Sequence, residues 1–147
     1  MYRYLDRAIR RLDEPEQFLL VVMRTWVGAA RAGRCCCHAL HAGFAGRGIA
    51  EALPDFNMMM VTLDQDGFGH IRFGAAGSAR VTDDEARMLA LFAVAREGPI
   101  ARLKRVAAGL VVEGAVARLA QSADFVATAL GAGTTTGNAT GTGADRS

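Results

Sequence analysis

The sequence has few cysteines and little net charge, and each shortage excludes a class of protein. Cysteine occurs only three times, at the consecutive positions Cys35, Cys36 and Cys37, and no distant cysteine is present to pair with them. A disulfide framework is therefore excluded. The net charge is only +2, which argues against nucleic acid as a partner because non-specific binding usually requires a plainly basic domain.

Long apolar runs are also missing. The longest run covers residues 18–30, carries Arg24 near its middle and is shorter than the about 20 apolar residues that a membrane span needs. Residues 1–12 are charged throughout, unlike the basic and then apolar pattern of a signal peptide. We therefore expect a soluble, cytoplasmic protein without a membrane span.

The composition indicates one compact helical domain. Half of the 147 residues are apolar, few are aromatic, and alanine and glycine are abundant, so closely spaced helices can form the core. We expect a single domain over residues 1–130. Residues 131–147 are rich in glycine and threonine and contain few apolar side chains whose burial could offset the entropy lost on ordering, which predicts a disordered tail.

The apolar run should form the central helix. Asp13 can cap its start, Pro15 is suited to a first helical position, and Gly33 can adopt the left-handed conformation that ends a helix. Apolar side chains on all sides of its first half predict contacts on more than one side.

Further helices follow from local signals. A helix over residues 35–45 ends at the glycines that flank Arg47, and a capping box at Thr82 and Glu85 starts another. Residues 58–63 fit either a helix, which we prefer, or a β-hairpin with residues 68–73. Pro99 opens a final helical stretch over residues 100–130, whose length favours packing against a second copy. The predicted fold class is all-α: a compact helical bundle of about five or six helices, with a short β-hairpin around residues 58–73 as the alternative.

Two groups of residues are candidate sites. The first is an arginine face on a predicted N-terminal helix, which forms either a solvated surface or a docking face for an acidic partner, a lipid headgroup or a phosphate backbone. Its residues are Arg3, Arg7, Arg10 and Arg11.

The second group is the cysteine and histidine cluster in the helix over residues 35–45. Cys37 and His41 are four residues apart, and His38 and His41 are three apart, so either pair shares a helical face and can supply two ligands to Zn²⁺. His70 is a conceivable third ligand. The simpler interpretation is that these are half-buried helix residues, because an unpaired cysteine packs like a small hydrophobe.

No nucleophile with its base, carboxylate pair or cofactor fingerprint emerges from the sequence, which favours a protein that is not an enzyme and needs no cofactor. The first hypothesis is a helical interaction or regulatory protein that self-associates, with a protein partner also possible. The second is a metal or redox sensor that uses Cys35, Cys36, Cys37, His38 and His41. The third is a nucleic-acid-binding regulator that uses the N-terminal arginine face.

Overall fold

The computed structural model describes residues 12–67, 73–74 and 78–146, with side chains as far as Gly131. Within these ranges the chain forms six α-helices and no strand, so the predicted all-α class is confirmed. The helices are α1 (Glu14–Arg31), α2 (Cys36–Gly46), α3 (Leu53–Asp66), α4 (Asp83–Glu97), α5 (Ile100–Ala108) and α6 (Val116–Arg146).

The hairpin alternative is wrong for its first strand, residues 58–63, which are helical. Residues 58–66 lie in α3, and residues 68–72 lie outside the described residues. Helical spacing of the apolar side chains explains the result, because residues three or four apart lie on one side of a helix, whereas in a strand neighbouring residues point to opposite sides. The buried residues at this spacing are Phe56, Met59, Met60 and Leu63.

The predicted ends of α1 are confirmed. The backbone N–H of Glu16 donates to the Asp13 carboxylate at 2.8 Å, and the Asp13 N–H donates to the Glu16 carboxylate at 3.0 Å. These reciprocal bonds form a capping box, which satisfies backbone donors that have no partner within the helix. At the other end Gly33 has a φ of 71°, which a residue with a Cβ adopts at a cost.

The core forms chiefly around α6. This helix packs against α3, α4 and α5, whereas the main contacts of α1 are with α2 and α4. The expectation that the remaining segments are organised around α1 is therefore corrected. Alanine explains the role of α6, because small side chains let neighbouring helices approach closely. The buried residues along α6 are Leu119, Ala120, Ala123, Val126, Ala127 and Leu130.

The continuous helix predicted over residues 100–130 is also wrong. Helix α5 ends at Ala108, and the chain runs through a turn and a short 3₁₀ segment, Glu113–Ala115, before α6 begins at Val116. The Val112 N–H donates to the Asp66 carbonyl at 2.9 Å, and Val111 forms an isolated bridge with Gly67. This pairing with the end of α3 replaces helical hydrogen bonds, so the length argument for self-association no longer applies to residues 100–130.

Helix α6 is assigned as far as Arg146. Side chains beyond Gly131 lie outside the described residues, so the disorder predicted for residues 131–147 stays a prediction. None of the described helices has the length and apolarity to cross a bilayer.

Candidate interaction site

A buried ion pair joins α1 to α4. The Arg24 guanidinium donates from Nε to Glu85 Oε2 at 2.7 Å and from Nη2 to Glu85 Oε1 at 2.9 Å. Glu85 is fully buried and Arg24 is 7% exposed. The two parallel bonds fit the planar fork of arginine, the geometry that makes such pairs strong.

The same pair holds the chain that precedes α4. Arg24 donates to the carbonyl oxygens of Ser78 and Arg80, both at 2.9 Å. The Glu85 carboxylate accepts from the backbone N–H groups of Gly74 and Thr82, both at 2.8 Å. Each buried charge is thus surrounded by hydrogen-bond partners, which is what makes its burial tolerable.

Burial alone would raise the pKa of Glu85, but the hydrogen bonds from Arg24 and from the Thr82 and Gly74 N–H groups outweigh it and lower that pKa. The carboxylate therefore stays ionised and fully engaged. Gly74 is required by this packing, since a Cβ at that position would lie 2.6 Å from Arg24 Nη2. The ion pair therefore holds α1 against α4.

The sequence does not predict this pair. The capping box of Thr82 and Glu85 is predicted and is confirmed, but the pairing of Glu85 with Arg24 is not. A signal was present, because one arginine inside an otherwise apolar helix needs a buried carboxylate. Glu85 was not identifiable as that carboxylate, because it lies 61 residues away.

The predicted metal ligands lie on α2. His38 and His41 are exposed and Cys37 is half-buried. Across the ranges that the structure describes, no three histidine, cysteine, aspartate or glutamate side chains are grouped so that they could hold a metal ion. His70 lies outside those ranges, so the zinc site stays a prediction.

The neighbouring cysteines have structural contacts. Cys35 is the N-cap of α2, and its Sγ accepts from the His38 N–H at 3.5 Å. The Cys36 thiol donates to the Trp26 carbonyl of α1 at 3.6 Å. Burial, followed by the neighbouring thiols, raises the pKa of Cys36, which disfavours its reactive thiolate form.

The other predicted site is the N-terminal arginine face. Arg3, Arg7, Arg10 and Arg11 lie outside the described residues.

A small cleft of about 50 Å³ lies between the start of α1 and the end of α4, with Asp13, Glu16, Arg96 and Glu97 in its wall. Its volume is far below the about 300 Å³ at which small-molecule sites begin.

The most unusual surface belongs to α1 and α2, which pack side by side. The Phe18 and Phe44 rings meet edge to face at 5.4 Å between centroids. Between residues 17 and 30 of α1 the only charged side chain is Arg24, which is directed inward to Glu85, and α2 contains no aspartate, glutamate, lysine or arginine. We call the outer surface of these two stretches the α1–α2 face.

None of the exposed residues of this face is an aspartate, glutamate, lysine or arginine, and apart from His38 and His41 they are apolar or small. Val21 is 58% exposed, and a Cβ added to Gly28 would have no atom within 4 Å. The Thr25 hydroxyl donates to the Val21 carbonyl at 2.8 Å, so its hydrogen-bonding capacity is already used within the helix. On α2 the exposed residues include His38, His41, Ala42, Gly43 and Ala45.

No family model, curated protein or solved structure matches this chain. Surface helices normally direct charged and polar residues outward. The α1–α2 face exposes no aspartate, glutamate, lysine or arginine, and its exposed polar side chains are those of His38 and His41. It is therefore suited to contact with another uncharged surface.

Proposed function

We propose that this chain is a non-enzymatic helical interaction protein that self-associates through the α1–α2 face. The observation that carries the proposal is that α1 over residues 17–30 and the whole of α2 expose no charged side chain. The sequence predicts apolar contact on more than one side of α1, yet Val21 is uncovered by the described part of the chain.

A second copy is the occupant that fits this face best. A two-fold dimer places the same surface on both sides of the interface, so the surface must complement itself. An uncharged face meets this requirement without opposing like charges, whereas a strongly acidic or basic partner gains no electrostatic attraction there.

The shape of the face also supports helix packing. Gly28 leaves open space, and Ala42 and Ala45 expose only methyl groups. Small residues permit the about 8–10 Å axial separations of packed helices. A stable interface buries about 800 Å² on each partner, which requires both helices of the face to contribute.

Sedimentation equilibrium or light scattering over a concentration series tests the proposal. We expect the wild type to dimerise and Val21→Lys to remain monomeric, because the substitution places a charge at the centre of the apolar contact. Ile100→Lys is the matched control: Ile100 is 55% exposed on α5, outside the face, and its variant should dimerise like the wild type.

A wild type that stays monomeric at the highest attainable concentration would overturn the proposal. Equal dimerisation of the two lysine variants would assign the interface to another surface. A wild type that dimerises only after residues 1–11 are removed would indicate that this segment, rather than a second copy, covers the face.

A further inference from the structure

Helix α5 carries a basic outer side that the proposed self-association does not use. Arg102, Lys104 and Arg105 are all exposed, and none of the three has a carboxylate partner among the described residues. The helix contains no acidic residue. This concentration of unpaired positive charge is notable in a chain whose net charge is only +2.

The inner side of α5 fixes how these cations are presented. Leu103 and Ala107 are buried, and α5 packs against both α4 and α6. At the angular spacing of an α-helix, Arg105 lies opposite the buried side of α5. Ala101 and Ala108 lie on the same outer side of the helix as Arg105, and we call these three residues the ridge. Arg102 and Lys104 lie on the two flanks of the ridge. The ridge therefore has positive charge along its centre and both flanks, with only methyl groups between.

We propose that the outer side of α5 docks into a groove of duplex nucleic acid by contacting its phosphates. A helix about 10–12 Å in diameter fits the about 12 Å width of the major groove. Phosphates line both rims of that groove, which matches cations on both flanks of the helix. The alanines of the ridge let the helix backbone approach closely, and Arg105 at its centre can reach base edges.

The acidic residues nearest to α5 in sequence are Glu97, at the end of α4, and Glu113, at the start of the 3₁₀ segment, so both lie beyond the ends of α5. Glu97 lines the cleft beside Asp13 and Glu16 at the start of α1. Asp83 and Asp84 lie at the opposite end of α4, a 15-residue helix that spans about 22 Å. All three charged residues of α5 itself are positive, although the charge of the whole chain is nearly balanced.

A lipid surface fits α5 less well. Interfacial helices bury a row of large apolar side chains in the membrane while their cations reach the headgroups. In α5 the apolar residues Leu103 and Ala107 are committed to the core. The exposed aliphatic residues Ile100 and Val112 flank the ridge at its two ends, so the ridge itself has none to insert.

Fluorescence anisotropy with a labelled DNA duplex, measured over a range of salt concentrations, tests the proposal. Each neutralised phosphate contributes about −0.9 to the slope of log K against log salt concentration. Three contacts predict a slope near −2.7, which is an affinity loss of about 40-fold for a fourfold rise in salt. The triple variant Arg102→Gln/Lys104→Gln/Arg105→Gln should lose most of both the affinity and the slope.

Two controls isolate α5. Arg31→Gln/Arg34→Gln/Arg87→Gln removes the same charge from other exposed sites and should retain most of the binding. The conservative variant Arg102→Lys/Arg105→Lys keeps the charge and should bind with a slope like that of the wild type. Both comparisons require that the variants have the same thermal stability as the wild type.

Several results would overturn the inference. One is absence of duplex binding at low salt, and another is an equal loss in the two triple variants. Loss of binding on substitution of Arg3, Arg7, Arg10 and Arg11 alone would assign the contact to the N-terminal segment. Binding to anionic phosphatidylserine vesicles but not to duplex would identify a lipid surface as the partner.

Discussion

Arg24 is a charged residue buried in the apolar middle of α1. Its charge excludes a membrane span, as the sequence predicts, but its position in an apolar helix also requires a buried partner. Glu85 provides that partner while it caps α4. The capping signal is local and was predictable, whereas the ion pair depends on how α1 and α4 pack.

Glu85→Gln should destabilise the fold strongly. It removes the negative charge and leaves the Arg24 guanidinium buried without a carboxylate, a change that costs about 3–5 kcal/mol in comparable pairs. Chemical denaturation measures the free energy of unfolding. Arg118→Gln is the control: it removes an ion pair with Asp66 whose side chains are 51% and 35% exposed, and it should cost less than about 1 kcal/mol.

The double variant Arg24→Met/Glu85→Gln refines this test. It leaves no buried charge and should therefore recover part of the stability lost in Glu85→Gln. If Glu85→Gln were as stable as the wild type, the ion pair would not hold α1 to α4 in solution.

Stability should also depend on pH through Glu85. The pKa of Glu85 is lower in the folded state than in the unfolded chain, where a glutamate has a pKa of about 4.3. Its contribution is therefore complete above that value and is lost as the pH falls through the lower, folded-state pKa. Thermal unfolding between neutral and strongly acidic pH should show a steeper acid loss for the wild type than for Glu85→Gln. Parallel curves would contradict the prediction.

At the scale of elements, helix ends were more predictable than helix continuity. Asp13, Gly33 and Thr82 act through backbone groups within a few residues, so their signals can be read from short stretches of sequence. The break between α5 and α6 depends instead on the distant Asp66 carbonyl, to which Val112 donates. Gly109 and Gly114 lie at this break, but glycines at these positions also fit a bend or a close crossing within one helix.

Cys35 occupies the N-cap position of α2, where its thiol accepts a backbone hydrogen bond. Serine is among the strongest N-cap residues, and its oxygen accepts a hydrogen bond better than sulfur does. Cys35→Ser should therefore stabilise the protein by about 0.5–1 kcal/mol in chemical denaturation. Cys37→Ser lies beyond the cap and should give no such gain. Equal effects in the two variants would mean that the cap does not limit the stability of α2.

At the scale of the whole molecule, the sequence predicted the kind of core but not its centre. Its alanine and glycine content indicated closely packed helices, and its longest apolar run indicated α1 as the organising helix. The structure gives that position to α6, whose buried alanines are individually weak hydrophobic signals but allow three helices to pack against it. Hydrophobic runs report how much apolar surface an element has, whereas the centre of a bundle depends on which element permits the closest approach.

The uncharged α1–α2 face leads to the last prediction, which concerns the assembled molecule. If two copies cover this face, association stabilises the folded state by mass action, by about 1.4 kcal/mol per mole of dimer for each tenfold rise in protein concentration. The melting temperature of the wild type should therefore rise by a few degrees across a hundredfold concentration series. Val21→Lys should melt at a temperature that does not depend on concentration, and Ile100→Lys should follow the wild type. A concentration-independent melting temperature in all three proteins would mean that the exposed Val21 is not covered by a second copy.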